Sequence, residues 1–242
     1  MNRYRMTASL QLLAALGFAI AGPLLAPDFR GYDPDAFPIP QGNAPVGPAG
    51  YAFSIWGVIY LWLIISAAIG LFKRHDAEDW SPMRPPLILA LAIGTPWLTV
   101  ATMNPVIATV MIFMMLALAI VAMTRAPVLD PWLARAPVAL FAGWLTAASF
   151  ASLGYIGAGY GIVFGAVGWA YLCIAGALAV ALYGCRLRPD APLFPLGTAW
   201  ALVAIVVKNW GTEWGVAALA ALGAAVLTAL ALKAFVTPRT TA

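Results

Sequence analysis

Apolar residues fill long stretches of this chain, and polar residues are confined to short breaks between them. Eight stretches stand out, at residues 7–26, 50–72, 85–103, 105–124, 137–156, 160–183, 192–209 and 214–235. Each lies near the ~20 residues a helix needs to cross a hydrocarbon layer. Asn104-Pro105 predicts a tight break, because Asn can close one helix and proline suits the first turn of the next. Gly157-Ala158-Gly159 predicts another short turn. Pro85-Pro86, Pro137 and Pro192 fall at helix starts, where the missing N–H costs little. The pattern predicts an all-α polytopic membrane bundle of about eight transmembrane helices.

Composition closes off the alternatives. Of 242 residues, 63% are hydrophobic and 9% charged, against about 25% charged in a soluble domain. Such a chain cannot cover a soluble globule with polar surface, and it is too apolar to remain disordered. The net charge of +4 does not point to nucleic acid, since the longest basic run is Lys73-Arg74. It points to the bias that keeps Lys and Arg on the cytoplasmic side of a membrane. With a cytoplasmic N-terminus and alternating helices, Arg3, Arg5, Lys73, Arg74, Arg84, Arg125, Arg135, Arg186, Arg188, Lys233 and Arg239 all fall inside. Only Arg30 and Lys208 fall outside, and a miscounted span would scramble this 11-to-2 split. The expectation is an integral membrane protein of a bacterial inner membrane with both termini cytoplasmic. Arg3 and Arg5 before a short apolar run also suit a signal peptide, but Ala26 is followed by Pro27 where a cleavage site should be. A retained helix is the preferred reading.

Few residues offer catalytic chemistry. The only histidine, His75, sits in a charged loop. Cys173 and Cys185 lie in and at the end of one apolar stretch, with too few neighbouring ligands for a zinc site. The single long loop, 27–49, is rich in proline and glycine and carries Asp28, Asp33 and Asp35 against Arg30. Phe29, Tyr32 and Phe37 give it apolar anchors, so it is expected to fold down over the outer end of the bundle. Gly157, Gly161 and Gly165 recur every four residues, a spacing that predicts a small-residue packing ridge at the start of the sixth helix.

The ten tryptophans divide by position. Trp80, Trp132, Trp210 and Trp214 lie at span ends or in loops, where an interfacial belt explains them. Trp56, Trp62, Trp97, Trp144, Trp169 and Trp200 lie within spans, and a buried indole N–H needs a partner there. Residues 48–62 read PAGYAFSIWGVIYLW, with Trp56 and Tyr60 on one helix face. WLTVAT from Trp97 and WLTAAS from Trp144 share a pattern that places Trp97 with Ala101 and Trp144 with Ala148.

These segments resemble the TspO/MBR family of translocator and tryptophan-rich sensory proteins. The resemblance rests on Pro48, Gly50, Tyr51, Phe53, Trp56 and Tyr60 in the second helix, Trp97 in the third, and Pro137, Trp144 and Ala148 in the fifth. It covers about residues 7–157, the family's five-helix unit. The chain departs from the family in a shorter gap between Phe53 and Trp56, in Gly94-Thr95-Pro96 before Trp97, and in Ser152 where the family has an Asn. Three further helices follow, which makes it similar to a long, divergent branch, with residues 1–157 as the family unit and 158–242 as the addition.

The resemblance implies an apolar pocket capped by the loop after the first helix. The family's ligands are tetrapyrroles such as porphyrin and haem, sterols and synthetic aromatic compounds. Indole faces suit flat conjugated rings. Trp56, Tyr60, Trp97, Trp144 and Ala148 are the implied lining, with Tyr32 and Pro48 as lid elements. No cofactor is required by this reading; porphyrin or haem enters as ligand. The expected partners are the lipid bilayer, a hydrophobic small molecule and a second copy in a homodimer. A passive transporter of a small hydrophobic metabolite is an alternative, since eight helices permit transport while ionisable groups for ion coupling are nearly absent from the spans. A porphyrin-modifying enzyme stands behind both, because the sequence shows no triad, metal cluster or paired intramembrane carboxylates.

Overall fold

The computed structural model describes residues 3–26 and 31–236, and all regular structure among them is helical. The helices are α1 (Arg3–Leu25), α2 (Ile55–Phe72), α3 (Arg84–Gly94), α4 (Trp97–Met103), α5 (Pro105–Arg125), α6 (Ala136–Gly159), α7 (Ala166–Leu187), α8 (Leu193–Asn209) and α9 (Trp214–Val236). Seven segments are long and apolar enough to cross a membrane, the third formed jointly by α3 and α4. The eighth, α8, has 17 residues and reaches about 26 Å at ~1.5 Å per residue. This is a polytopic membrane helical bundle with eight apolar segments.

Several boundaries follow from local chemistry. Asn104 closes α4 with an extended backbone, and its Oδ1 accepts the Ile107 N–H at 3.0 Å to cap α5, with Pro105 at the first turn. The third span breaks between Gly94 and Trp97. Pro96 has no N–H to continue the ladder, and Thr95 turns its hydroxyl back onto the Leu91 carbonyl at 2.9 Å. The expected turn at residues 157–159 lies later: α6 runs on to Gly159, and the chain reverses over residues 160–165.

That shift removes the glycine ridge expected at 157, 161 and 165. Gly157 stands in α6 with the Trp169 ring packed where a Cβ would be. Gly161 is a loop residue at φ +65°, and Gly165 is the extended residue before α7. The spacing was helical, but two positive-φ residues, Gly161 and Val163, prevent a helix from passing through.

The contacts divide the chain into two compact units, one of Met1–Phe29 with Ser54–Ala142, the other of Arg30–Phe53 with Gly143–Ala242. In the first, α1 packs on α2 and α3, and α3 and α4 pack on α5. In the second, α7, α8 and α9 pack on one another around Cys173, Ile174, Leu202, Val216 and Leu227. Helix α6 contributes its first seven residues to the first unit and the remainder to the second. Its segment is the most enclosed of all, with 78% of its apolar window buried. In the other candidate spans less than half of that window is buried.

Candidate functional site

In the first unit, Trp56 and Tyr60 are one helical turn apart on α2 and stack at 5.3 Å between ring centroids, 20° from parallel. Phe18 of α1 stands edge-on to both, at 5.8 Å from Trp56 and 5.1 Å from Tyr60. Phe141 closes on Phe18 at 5.6 Å. Gly22 and Gly94 make this approach possible: a Cβ on Gly94 would press into the Phe18 ring, and one on Gly22 would meet Leu98 and approach the Tyr60 hydroxyl. Trp56 and Tyr60 are both half-buried. The Tyr60 hydroxyl has no hydrogen-bond partner among the described residues.

Trp97 behaves differently. It is buried with Ala101 on one face of α4, and its indole N–H donates to the Ala108 carbonyl of α5 at 2.8 Å. That carbonyl lies in the first turn of the next helix, so the bond fixes the α4–α5 corner.

In the second unit, Trp144 is buried at the start of that unit's share of α6, with Phe53 edge-on at 5.9 Å. Ala148 is half-buried one turn on. Tyr32 donates to the Ser152 hydroxyl at 3.2 Å and meets the Tyr155 ring edge-on. Ser152, the residue standing where the family has an Asn, therefore holds the loop. Pro48 is half-buried, and the adjacent Ala49 N–H donates to the Ala204 carbonyl at 3.1 Å. Thus the sequence-derived residues form two groups, Trp56, Tyr60 and Trp97 in one unit, and Tyr32, Pro48, Trp144 and Ala148 in the other.

The described part of the long loop, from residue 31, is folded onto the second unit as the sequence suggested. Ile39 N–H donates to Gly159 O at 2.9 Å, Asn209 Nδ2 to Pro45 O at 2.9 Å, and Trp200 Nε1 to Ala52 O at 2.9 Å. Asp28, Phe29 and Arg30 lie outside the described residues.

The remaining tryptophans answer what the sequence left open. Trp62 donates to Trp132 O at 2.9 Å and stacks on its ring at 6.4 Å. Trp169 donates to Ile162 O at 2.7 Å. Trp210 and Trp214 are exposed and in edge-on contact at 4.9 Å, as an interfacial pair would be. Trp80 contradicts the belt expectation. It is fully buried, and its indole N–H donates to Asp130 Oδ2 at 2.8 Å.

Trp80 belongs to a polar knot that sequence reasoning missed. Arg84, placed by the sequence in the cytoplasmic segment before the third span, is also fully buried. Its guanidinium donates to the carbonyls of Arg74 at 2.7 Å, Gly70 and His75 at 3.2 Å, and Tyr4 at 3.4 Å. Gly70 lies in the last turn of α2, where carbonyls lack partners within the helix and favour a cation. Arg74 Nε in turn pairs with Asp130 Oδ2 at 3.0 Å. That hydrogen bond, helped by the Trp80 N–H, holds the Asp130 carboxyl below the usual carboxylate range against the opposing effect of burial. The only sequence signal was Arg84 standing directly before Pro85-Pro86, at a helix start beneath another helix's end.

Among the described residues no cluster of three or more His, Cys, Asp or Glu side chains could hold a metal.

Neither a curated protein nor a solved structure matches the chain. A family does: the one described as TSPO-like protein matches residues 41–233. The match begins within the long loop and continues through α7 and α8 into α9, so it takes in the helices beyond the five-helix resemblance. Eight apolar helical segments and a match over most of its length establish that this integral membrane chain belongs to the TSPO-like family.

Proposed function

We propose that this protein binds a flat hydrophobic small molecule of the tetrapyrrole class against the aromatic cluster of Phe18, Trp56 and Tyr60. One observation carries the reading: Trp56 and Tyr60 present a stacked, half-exposed pair whose phenol has not been spent inside the protein. Stacking on such a surface recognises a conjugated ring, and the free phenol adds one directional contact. Trp97 supports the cluster by locking the α4–α5 corner. Trp144, Ala148, Tyr32 and Pro48 come to the reading through the family resemblance.

The test is a protoporphyrin titration of purified protein, read by tryptophan fluorescence. Saturable quenching at micromolar ligand is expected. Trp56→Phe should weaken affinity at least about fivefold, roughly the ~1 kcal/mol of one aromatic pair, and Tyr60→Phe about threefold, near the smaller value of one hydrogen bond. Trp62→Phe, which alters a separate stacked pair, should not. Quenching that never saturates would remove this reading.

The break between α3 and α4 favours a second reading, a passive carrier, since interrupted helices often mark translocation sites. Porphyrin uptake into liposomes that is abolished by Pro96→Ala, with binding unchanged, would favour the carrier.

A further inference from the structure

Lys208 stands in the last turn of α8 and is half-buried. A cation at the end of a spanning helix usually snorkels outward to water. This one is turned against the loop. A Cβ on Gly47 would collide with the Tyr155 hydroxyl of α6 and stand 3.2 Å from Lys208 Nζ. The ammonium and the phenol therefore lie on one side of the same glycine, within reach of a single oxyanion. We propose that they form a headgroup site for an anionic phospholipid, with its phosphodiester held between Lys208 and Tyr155.

Three observations argue for a bound anion. The first is the lack of a counter-ion. Among the described residues neither head group has a hydrogen bond or an ion pair, and neither is sealed from its surroundings. A charge taken partly out of water needs a partner. The carbonyl end of α8 favours a cation, but none of its carbonyls bonds Nζ. The unit's described carboxylates do not serve either. Asp33 and Asp35 are exposed, and Asp33 accepts the Asp35 N–H of its own turn at 3.0 Å. Asp190 pairs with Arg188, and Glu213 forms no ion pair with Lys208.

The second observation is that the two donors are already held in place. Gly47 is pinned on both sides, by Asn209 Nδ2 donating to Pro45 O at 2.9 Å and Ala49 N–H donating to Ala204 O at 3.1 Å. The Tyr155 ring stacks with Phe37 at 6.4 Å and meets Tyr32 edge-on at 5.9 Å. Little ordering remains to be done when a ligand arrives. The third observation is depth. Trp210 and Trp214, exposed and in contact, follow Lys208 closely and mark the level of a membrane interface, where lipid phosphates lie.

Charge selects among lipids. One ammonium balances the single negative charge of a phosphodiester, whereas a phosphate monoester carries nearly two at neutral pH. The diester's two unesterified oxygens match the two donors, one for the ammonium and one for the phenol. A zwitterionic headgroup brings its own cation to the phosphate, so a lipid with net negative charge gains more from Lys208.

The experiment uses the full-length protein in phosphatidylcholine nanodiscs doped with phosphatidylglycerol that carries a diazirine beside its glycerol backbone. Matching phosphatidylcholine and fatty-acid probes are run in parallel, and labelled peptides are read by mass spectrometry after photolysis. The phosphatidylglycerol probe should label residues 45–49 and 205–210 saturably, about tenfold more than the phosphatidylcholine probe, the scale of one charge-assisted contact. Lys208→Gln should bring that preference to about twofold or less, Lys208→Arg should keep most of it, and Tyr155→Phe should cut it about threefold. In nanodiscs of phosphatidylcholine alone, Lys208→Gln should not lower the melting temperature, because it removes a charge without a partner. Trp56→Phe should leave the labelling unchanged, which separates this site from the porphyrin reading. Asp28, a carboxylate outside the described residues, is tested by Asp28→Asn, which should not alter the preference. Equal labelling by the phosphatidylcholine probe, equal or stronger labelling by the fatty acid, or an unchanged preference in Lys208→Gln would overturn the proposal. So would loss of labelling in millimolar inorganic phosphate, which would make this a site for a soluble anion, or a preference that rises in Asp28→Asn, which would make Asp28 the counter-ion.

Discussion

The two compact units spend their buried polar groups in opposite ways. In the first, polar side chains tie helix ends to one another: Arg84 gathers four carbonyls, Trp80 and Arg74 share one Asp130 oxygen, and Trp97 bonds across a helix corner. In the second, three of them hold an irregular loop against helices, Tyr32 to Ser152, Asn209 to Pro45 and Trp200 to Ala52, beside the Thr198 bond that joins α8 to α6. The first arrangement joins helix to helix and leaves the Trp56–Tyr60 stack half-buried. The second leaves the Lys208 ammonium and the Tyr155 phenol against the loop it has docked. Removing a polar group should therefore loosen a whole unit in one case and a segment in the other.

The largest expected effect is at Arg84. Arg84→Ala leaves several carbonyls without their donor and opens a cavity, at a cost of roughly 4 kcal/mol. The melting temperature of the detergent-solubilised protein should fall by about 10 °C. Arg84→Lys should recover less than half, because one ammonium cannot reach carbonyls spread around a planar guanidinium. A fall of only a degree or two for Arg84→Ala would mean that the knot does not organise the first unit.

The next effect lies in the second unit, at the closest approach of α6 and α8. A Cβ on Gly143 would strike the backbone carbonyl of Phe194, and Thr198 bonds the Gly143 carbonyl at 2.8 Å. Gly143→Ala should destabilise by about 2–3 kcal/mol, toward the upper end of the usual overpacking cost because the clash is with backbone. Asn209→Leu should cost about 2 kcal/mol, mostly as an orphaned Pro45 carbonyl. Its signature should be local: faster hydrogen exchange at Gly47 and Ala49, with the amides of α2 and α3 unchanged. Uniform loosening after Asn209→Leu would erase the contrast between the units.

This contrast also decides what the sequence could disclose. Helix number and type were legible, because lipid contact imposes apolar runs of fixed length and prolines mark their starts. Asn104-Pro105 was legible in detail, since capping is a local interaction. The reversal at 160–165 was not, because the glycine spacing was also a helical spacing and the positive φ of Val163 has no composition signal. Among site residues, the Trp56–Tyr60 stack followed from helical geometry. The polar knot escaped notice because it is made of contacts distant in sequence: Tyr4, Gly70, Arg84 and Asp130 are each ordinary in their own segment. Trp80 was misplaced for the same reason, since its position suited the interface and only Asp130, fifty residues away, draws it inside.

The smallest effect is a dependence on pH that should belong to one unit alone. The hydrogen bond from Arg74, then that from Trp80, holds the Asp130 carboxyl below its ordinary value. A carboxyl whose folded pKa is depressed adds stability above its unfolded pKa of about 3.9. That contribution disappears as pH falls through the lower, folded value. From pH 8 to about 5 the first unit should therefore hold constant, and below about pH 4 the Trp80 signal in near-ultraviolet circular dichroism should weaken. Asp130→Asn should remove this acid limb while keeping an oxygen that can accept from the Trp80 indole. The second unit has its own half-buried pair, Arg188 with Asp190 at 2.8 Å, while Trp169 and Trp200 donate to the Ile162 and Ala52 carbonyls. Its indole signals, from Trp169 and Trp200, should pass through the same acid range unchanged in both proteins. If all the tryptophans respond together, the units unfold as one, and the distinction between a knotted and a docked half does not extend to stability.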